Sequence, residues 1–522
     1  MADFEIDNLT AKQKDYAVFL PALSGFYATY IGKQRHKEPD NKKYDNGNYV
    51  PMGRVPKDFE NGVEGLNWLN KDEAYFPYKW ALYSAGHAEL DINKHAPKED
   101  MIRNRDRANS FVLGDSGGFQ IGKGVWEGDW KNPACPKAQK KREQVLAWMD
   151  AYMDYGMILD IPAWVCRSPE GRKATNINSY EEAVQGTYIN NDYFINNRTG
   201  ACKFLNVLQG ENHTEAEDWY QRMKKYCDPV QYPTNHFNGW SMGGQNMCDI
   251  HLILHRLVTI IHDGLLEEGV QDWMHFLGTS KLEWATLLTD IQRSIRKHHN
   301  PKFTISFDCA SPFLATANGQ IYTDVETPDR GKWTYRMQPT ADNKKYSTDT
   351  RQFSQGVLAD GYHTTFKDSP ISRNLEMKDI CIYKPGDLNK NGKEGKTSWD
   401  SFSYAIMMGH NVWQHLNAVQ EANRQYDAGH YPKMLIQETF DTVSFRDVCE
   451  AIFSADTKEE SMAIIEYYNK FWMSIIGTRG ATGKKTVNAG TMFNNLFDVP
   501  EEEVVDETLD EEKLNKLEME EL

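Results

Sequence analysis

Apolar residues in the first 310 positions of this chain come in short runs, each bounded by turn-forming residues. Eight of these runs read as strands: 18–22, 79–84, 111–115, 157–161, 204–208, 239–242, 273–277 and 303–308. Between most of them apolar residues recur at the spacing of an amphipathic helix, at 181–187, 215–226, 250–262 and 281–297. Strand alternating with helix implies parallel strands joined by right-handed crossovers. Eight such units predict an α/β chain, a (β/α)8 TIM barrel with insertions, with a doubly wound sheet as the alternative.

The pattern changes after position 319. Residues 320–400 are polar and rich in Asp, Lys, Thr and Gly, with 389–396 as an exposed loop, and read as an insertion or subdomain rather than core. Helical periodicity returns at 402–426 and 445–476, where Val412, Leu416 and Val419 mark a buried face. The predicted organisation is a barrel core with an N-terminal extension at 1–319 and the polar insertion at 320–400. Helices completing the barrel follow at 401–498, and an acidic tail at 499–522.

Composition narrows the class. A chain of 522 residues with 40% hydrophobic content and 14 tryptophans can bury a large core. No run of 18 apolar residues predicts a membrane span, and the N-terminus lacks a basic stretch followed by an apolar one. Eight cysteines stand singly with no C-x-x-C, which argues against a disulfide framework or a paired-cysteine zinc site. The expected location is the cytoplasm. Of the net charge of −16, the segment 501–522 carries −9 (eleven acidic residues against two lysines), leaving −7 for the rest. Such a tail reads as solvated or disordered, so overall charge does not decide for or against a nucleic-acid partner.

Barrel chemistry collects where the strands end. The ends here carry Asp115 with Phe119, Asp160, Gln209-Gly210, Gly243-Gly244, Leu277-Gly278 and Asp308. Singly, an aspartate after a strand more often caps a helix, and paired glycines more often serve a turn. Six such endings on one ring are a candidate site: three carboxylates, an amide, a stacking ring and open backbone.

The same residues carry a resemblance. Asp115-Ser116-Gly117-Gly118-Phe119-Gln120 is similar to the D-S-G-G-F-Q signature of the tRNA-guanine transglycosylases. Val18-Phe19-Leu20-Pro21, Leu208-Gln209-Gly210, Ser241-Met242-Gly243-Gly244 and Phe276-Leu277-Gly278 resemble further motifs of that family. So do Ser306-Phe307-Asp308-Cys309, Asn318-Gly319-Gln320 and Gly409-His410-Asn411, all in family order across roughly 17–425. The resemblance implies base exchange through a covalent glycosyl-enzyme, with Asp308 as nucleophile and Asp115 as general acid/base. It also implies a purine pocket. Asp160 would accept from the Watson–Crick edge, Gln209 and a backbone N–H of Gly243-Gly244 would donate to O6, and Phe119 and Leu277 would cover the two faces.

Two departures bear on the substrate. The family's C-x-C-x-x-C and histidine hold a structural zinc, whereas this chain offers only Cys381 and His410 there, so no zinc or other cofactor is expected and His410 reads as a helix-start or core residue. Two arginines usual after the nucleophile are replaced by Leu314 and Ala317, neither able to contact a base or phosphate through charge. The pattern resembles the zinc-less DNA-guanine transglycosylases of phage and bacterial DNA modification. The expected partners are therefore DNA and a free 7-deazaguanine base such as 7-cyano-7-deazaguanine, with no membrane. Oligomeric state and any helper protein are not readable. The alternatives are a divergent enzyme acting on tRNA, a non-catalytic nucleic-acid-binding partner, and an ordinary barrel hydrolase. Retention of both Asp115 and Asp308 argues against the second, and the base-pocket set against the third.

Overall fold

A computed structural model describes residues 15–35, 54–96, 99–359, 362–363, 366–382, 398–438 and 442–477. The predicted loop at 389–396 and the acidic tail lie outside them. Eight parallel strands form one sheet: β1 (Val18–Pro21), β2 (Trp80–Ser84), β3 (Phe111–Asp115), β4 (Tyr155–Met157), β5 (Lys203–Leu208), β6 (Gly239–Met242), β7 (Trp273–Phe276) and β8 (Thr304–Cys309). Their order is β1-β8-β7-β6-β5-β4-β3-β2. The seam between β1 and β2 is joined by a parallel bridge from Ala22 to Leu82, where the Leu23 N–H donates to the Leu82 carbonyl at 2.9 Å. The fold is a (β/α)8 barrel.

The outer layer follows the strands in turn: α1 (Gly25–Arg35), α2 (Pro136–Tyr152), α3 (Tyr180–Asn197), α4 (His213–Met223), α5 (Ile250–His262), α6 (Leu282–His298) and α7 (Ser401–Asp427). Several start where a short polar side chain accepts an otherwise unpaired backbone N–H. Ser179 does so at α3, Asn212 at α4, Asp249 at α5 and Asp400 at α7. The floor of the barrel is aromatic. Trp80, Phe111, Tyr155 and Trp273 open four different strands, and their rings pack at centroid distances of 4.7–5.9 Å. Large rings fill the lower end, so polar groups are left to the upper one.

The fourth strand is displaced from its expected place. The run 157–161 is buried throughout, but the ladder with β5 covers only 155–157, and the Asp160 N–H turns back to the Ile158 carbonyl at 3.0 Å. Beyond the Ile158 N–H, which still donates to the Leu205 carbonyl at 3.1 Å, apolarity there reflects burial and not pairing. The stretch 445–476 is three helices, α8 (Phe445–Ser454), α9 (Lys458–Tyr467) and α10 (Asn469–Ser474). Reciprocal caps of Ser444 with Asp447 and of Thr457 with Glu460 begin the first two.

The polar stretch after 319 is not merely appended. It opens with a hairpin, β9 (Gln320–Glu326) and β10 (Thr334–Pro339), and buries Phe353, Ile371, Leu375, Met377 and Ile380 in continuity with the main core. His410 lies well inside α7 rather than at its start. It is buried, with Nε2 3.0 Å from the Tyr322 carbonyl and Nδ1 2.8 Å from the Ser369 hydroxyl. It joins the helix to this segment. Among the described residues no helix is long and apolar enough to cross a membrane.

Candidate active site

Asp115 ends β3 opposite Ser84, the last residue of β2, and the Ser84 hydroxyl donates to its Oδ2 at 2.6 Å. The two glycines that follow serve different needs. Gly117 adopts φ of 82°, and a Cβ there would sit 2.5 Å from the Trp126 ring. Gly118 starts the short helix Gly118–Gly122, and a Cβ there would press on the Asp160 carbonyl and carboxylate at 3.0 Å. Small residues thus bring the third and fourth strand ends together. Phe119, next on that helix, is half-buried, with Trp164 at a ring distance of 6.0 Å and the Lys123 ammonium 5.4 Å from its centroid.

Asp160 is buried and receives Gln209 Nε2–H at 2.8 Å. Burial pushes its carboxyl up to about 7, with the charge of Asp115 adding to the shift against the Gln209 bond. Asp115 moves the same way, raised first by burial and also by Asp308, against the Ser84 bond. Both groups are therefore biased toward the protonated form.

Gln209 spends one N–H on Asp160, while its Oε1 is buried without a hydrogen-bond partner among the described residues. Gly243 lies close over the Gln209 amide, and its N–H is committed to the Leu208 carbonyl at 2.9 Å. Of the two glycines, one of which was expected to offer a backbone N–H, Gly244 is the candidate. Leu277 follows β7, half-buried against the core, with its N–H toward the Met242 carbonyl.

Asp308 lies one residue before the end of β8. Its Oδ1 accepts the Gly278 N–H at 2.9 Å and lies 3.0 Å from His275 Nε2, while Oδ2 takes part in neither bond. Gly278 has φ of 58°, the left-handed conformation that turns its N–H toward the carboxylate. His275 Nδ1 is 2.8 Å from the Ser306 hydroxyl, which also accepts Trp273 Nε1–H at 2.8 Å. One consistent proton order runs through these bonds: indole N–H to hydroxyl, hydroxyl to Nδ1, Nε2–H to carboxylate. A relay climbs from the aromatic floor to Asp308.

His275, Ser306, Ser84 and Trp164 went unnoticed in the sequence. Alternation held the signal for two of them, since His275 is two residues from Trp273 on β7 and Ser306 two from Asp308 on β8. The parallel register that sets His275 beside Ser306 is a tertiary fact.

Leu314 and Ala317, where the resemblance implies arginines, lie on or beside apolar surface. Leu314 is buried in the short helix Ser311–Ala317, and Ala317, which ends it, is half-buried. The buried Cys381 thiol contacts the Ala341 carbonyl at 3.2 Å. Protein-family models gave no match to this chain, and neither did the curated proteins.

Proposed function

We propose that this chain is a DNA-guanine transglycosylase, exchanging guanine in DNA for a free 7-deazaguanine base through a covalent glycosyl-enzyme. The observation that carries the reading is the division of labour among three carboxylates at one barrel mouth. Asp308 is oriented by two donors with one oxygen uncommitted, while Asp115 and Asp160 are raised by burial. Carboxyl groups kept in different environments suit different roles in one reaction.

In the first displacement the uncommitted Asp308 oxygen forms a bond to C1′ as the C1′–N9 bond breaks. The electron pair leaves with guanine, which takes the proton held by Asp115. In the second, Asp115 removes the N9 proton of the incoming base, N9 attacks C1′, and the ester opens to return Asp308 as a carboxylate. Two inversions give net retention. Asp160 as a carboxylate accepts from the ring N–H and exocyclic amine, with Gln209 and the Gly244 N–H facing O6. Phe119 supplies the stacking surface, and Lys123 above it offers a cation to a phosphate. The nucleotide is flipped out of its stack to enter.

The choice of DNA rests on what stands in place of the family's RNA-contacting features. Leu314 and Ala317 offer no charge, and both His410 nitrogens serve internal hydrogen bonds. The test is incubation with labelled free base together with duplex DNA, single-stranded DNA and bulk tRNA. Label is expected in DNA. Label entering tRNA alone would overturn the polymer assignment and keep the chemistry, and exchange into neither would overturn both.

A further inference from the structure

A second group of chemically capable side chains lies on the outer helical layer. His251 and His255 are four residues apart on α5 and so share one face of it. Glu466, from α9, places Oε1 3.0 Å from His251 Nε2 and 2.7 Å from His255 Nε2. The imidazole rings are 4.5 Å apart, and one ligand atom from each of the three residues falls within 4.8 Å of the others. His213, at the start of α4, stacks on His251 at 5.5 Å and is held by Asp249 at 3.0 Å, walling one side.

We propose that His251, His255 and Glu466 form a binding site for a divalent late first-row transition ion, of which Zn²⁺ is the representative, clamping α9 to α5. Two imidazoles and a carboxylate are a ligand set Zn²⁺ uses, leaving a fourth position for water. Zn–N and Zn–O bonds of about 2.0–2.2 Å in tetrahedral geometry place ligand atoms roughly 3.3 Å apart. The two Glu466–histidine separations, 3.0 and 2.7 Å, widen by roughly 0.3 and 0.6 Å to reach that geometry. Glu466 can supply that movement, because its side chain is 55% exposed. Imidazole and carboxylate also discriminate against Mg²⁺, which demands octahedral oxygen ligation. The competing account is a purely hydrogen-bonded clamp, two imidazole N–H groups donating to one carboxylate oxygen, that takes up no metal.

Calorimetric titration of the chelator-treated full-length protein with ZnCl₂ separates the two. The wild type is expected to bind one equivalent, and its thermal unfolding to move upward with Zn²⁺ but not with Mg²⁺. The double variant H251Q/H255Q, and separately E466Q at the more exposed position, should weaken Zn²⁺ binding by about 100-fold or more, since even outer-sphere losses cost 10–100-fold. H298Q, which alters a separate histidine–carboxylate pair with Glu450, should retain the equivalent. Unchanged stoichiometry and affinity in E466Q and in the double variant would overturn the proposal. So would no uptake by the wild type in excess Zn²⁺, or an equal response to Mg²⁺.

Discussion

His275 Nε2 lies 3.0 Å from Oδ1 of Asp308, and the histidine is itself fully buried between that carboxylate and the Ser306 hydroxyl. Two adjacent strands in parallel register create this contact, and Gly278 completes it with a backbone N–H on the same oxygen. Both contacts fall on one oxygen, and the other takes part in neither.

His275 is therefore a positioning residue. His275→Phe should lower kcat by about 10²-fold, the usual cost of misplacing a reacting group by an ångström. KM should change little. Ser306→Ala, which keeps the imidazole and removes its lower anchor, should give a smaller loss in the same direction. Steady-state kinetics on both variants check this, and a raised KM with unchanged kcat would refute it.

Asp308→Ala should abolish the covalent complex with an oligonucleotide on a denaturing gel, with a rate loss of several orders of magnitude. Asp115→Ala should cost roughly 10²–10⁴-fold, the range for a general acid/base. A trapped complex surviving in Asp308→Ala would place the nucleophile elsewhere.

The raised carboxyl of Asp160 makes stability depend on pH. Its native form favours the proton, so the contribution is fully present below the ordinary carboxylate value and is lost as pH rises through about 7. Urea unfolding should show stability falling across that window, with a slope approaching about 1.4 kcal/mol per pH unit from this group. Asp160→Asn should remove that share. Asp115 and Asp290 are also raised by burial, so the difference between wild type and variant is the quantity to read. Base binding needs the carboxylate, so affinity for the free base should rise with pH and level off above about 7. An affinity that falls over this range would exclude Asp160 from the Watson–Crick edge.

Gly278→Ala forces a side chain into the left-handed region at a cost of about 1–2 kcal/mol. It also disturbs the amide that holds Asp308. Activity should fall further than denaturant unfolding alone would account for, and equal effects on both would mean that the amide does not matter to catalysis.

Phe119→Ala should raise KM for the free base by about tenfold or more, given about 1–3 kcal/mol for a base stacked on a ring. Phe119→Tyr should be close to neutral. Competition kinetics with free guanine provide the measurement.

Much of the barrel was legible because each strand is buried on both faces and so reads as a short apolar run between turns. The third and sixth strands, residues 111–115 and 239–242, lie where the pattern put them, and α5 spans 250–262 as expected. The fourth strand did not follow, because the chain at 159–161 is as buried as a strand while its last backbone bond to β5 is made at Ile158. The polar stretch after 319 misled in the opposite sense. Its scattered apolar residues, among them Phe353, Ile371 and Met377, are brought into the core by chain reversals that leave no periodic mark.

Residue identity alone placed Asp115, Gln209 and Asp308 at or beside strand ends, because a short apolar run bounded by turn residues marks where a strand stops and what side chain follows it. The tertiary structure decided everything that depends on register and closure. The Ala22–Leu82 bridge draws the two ends of the sheet together. The pairing of β7 with β8 sets Trp273, Ser306 and His275 in line beneath Asp308, and packing of α9 on α5 brings Glu466 to two histidines over 200 positions earlier in the chain. Such contacts are set by side chains far apart in sequence competing for the same buried space, and no local window of residues contains that information.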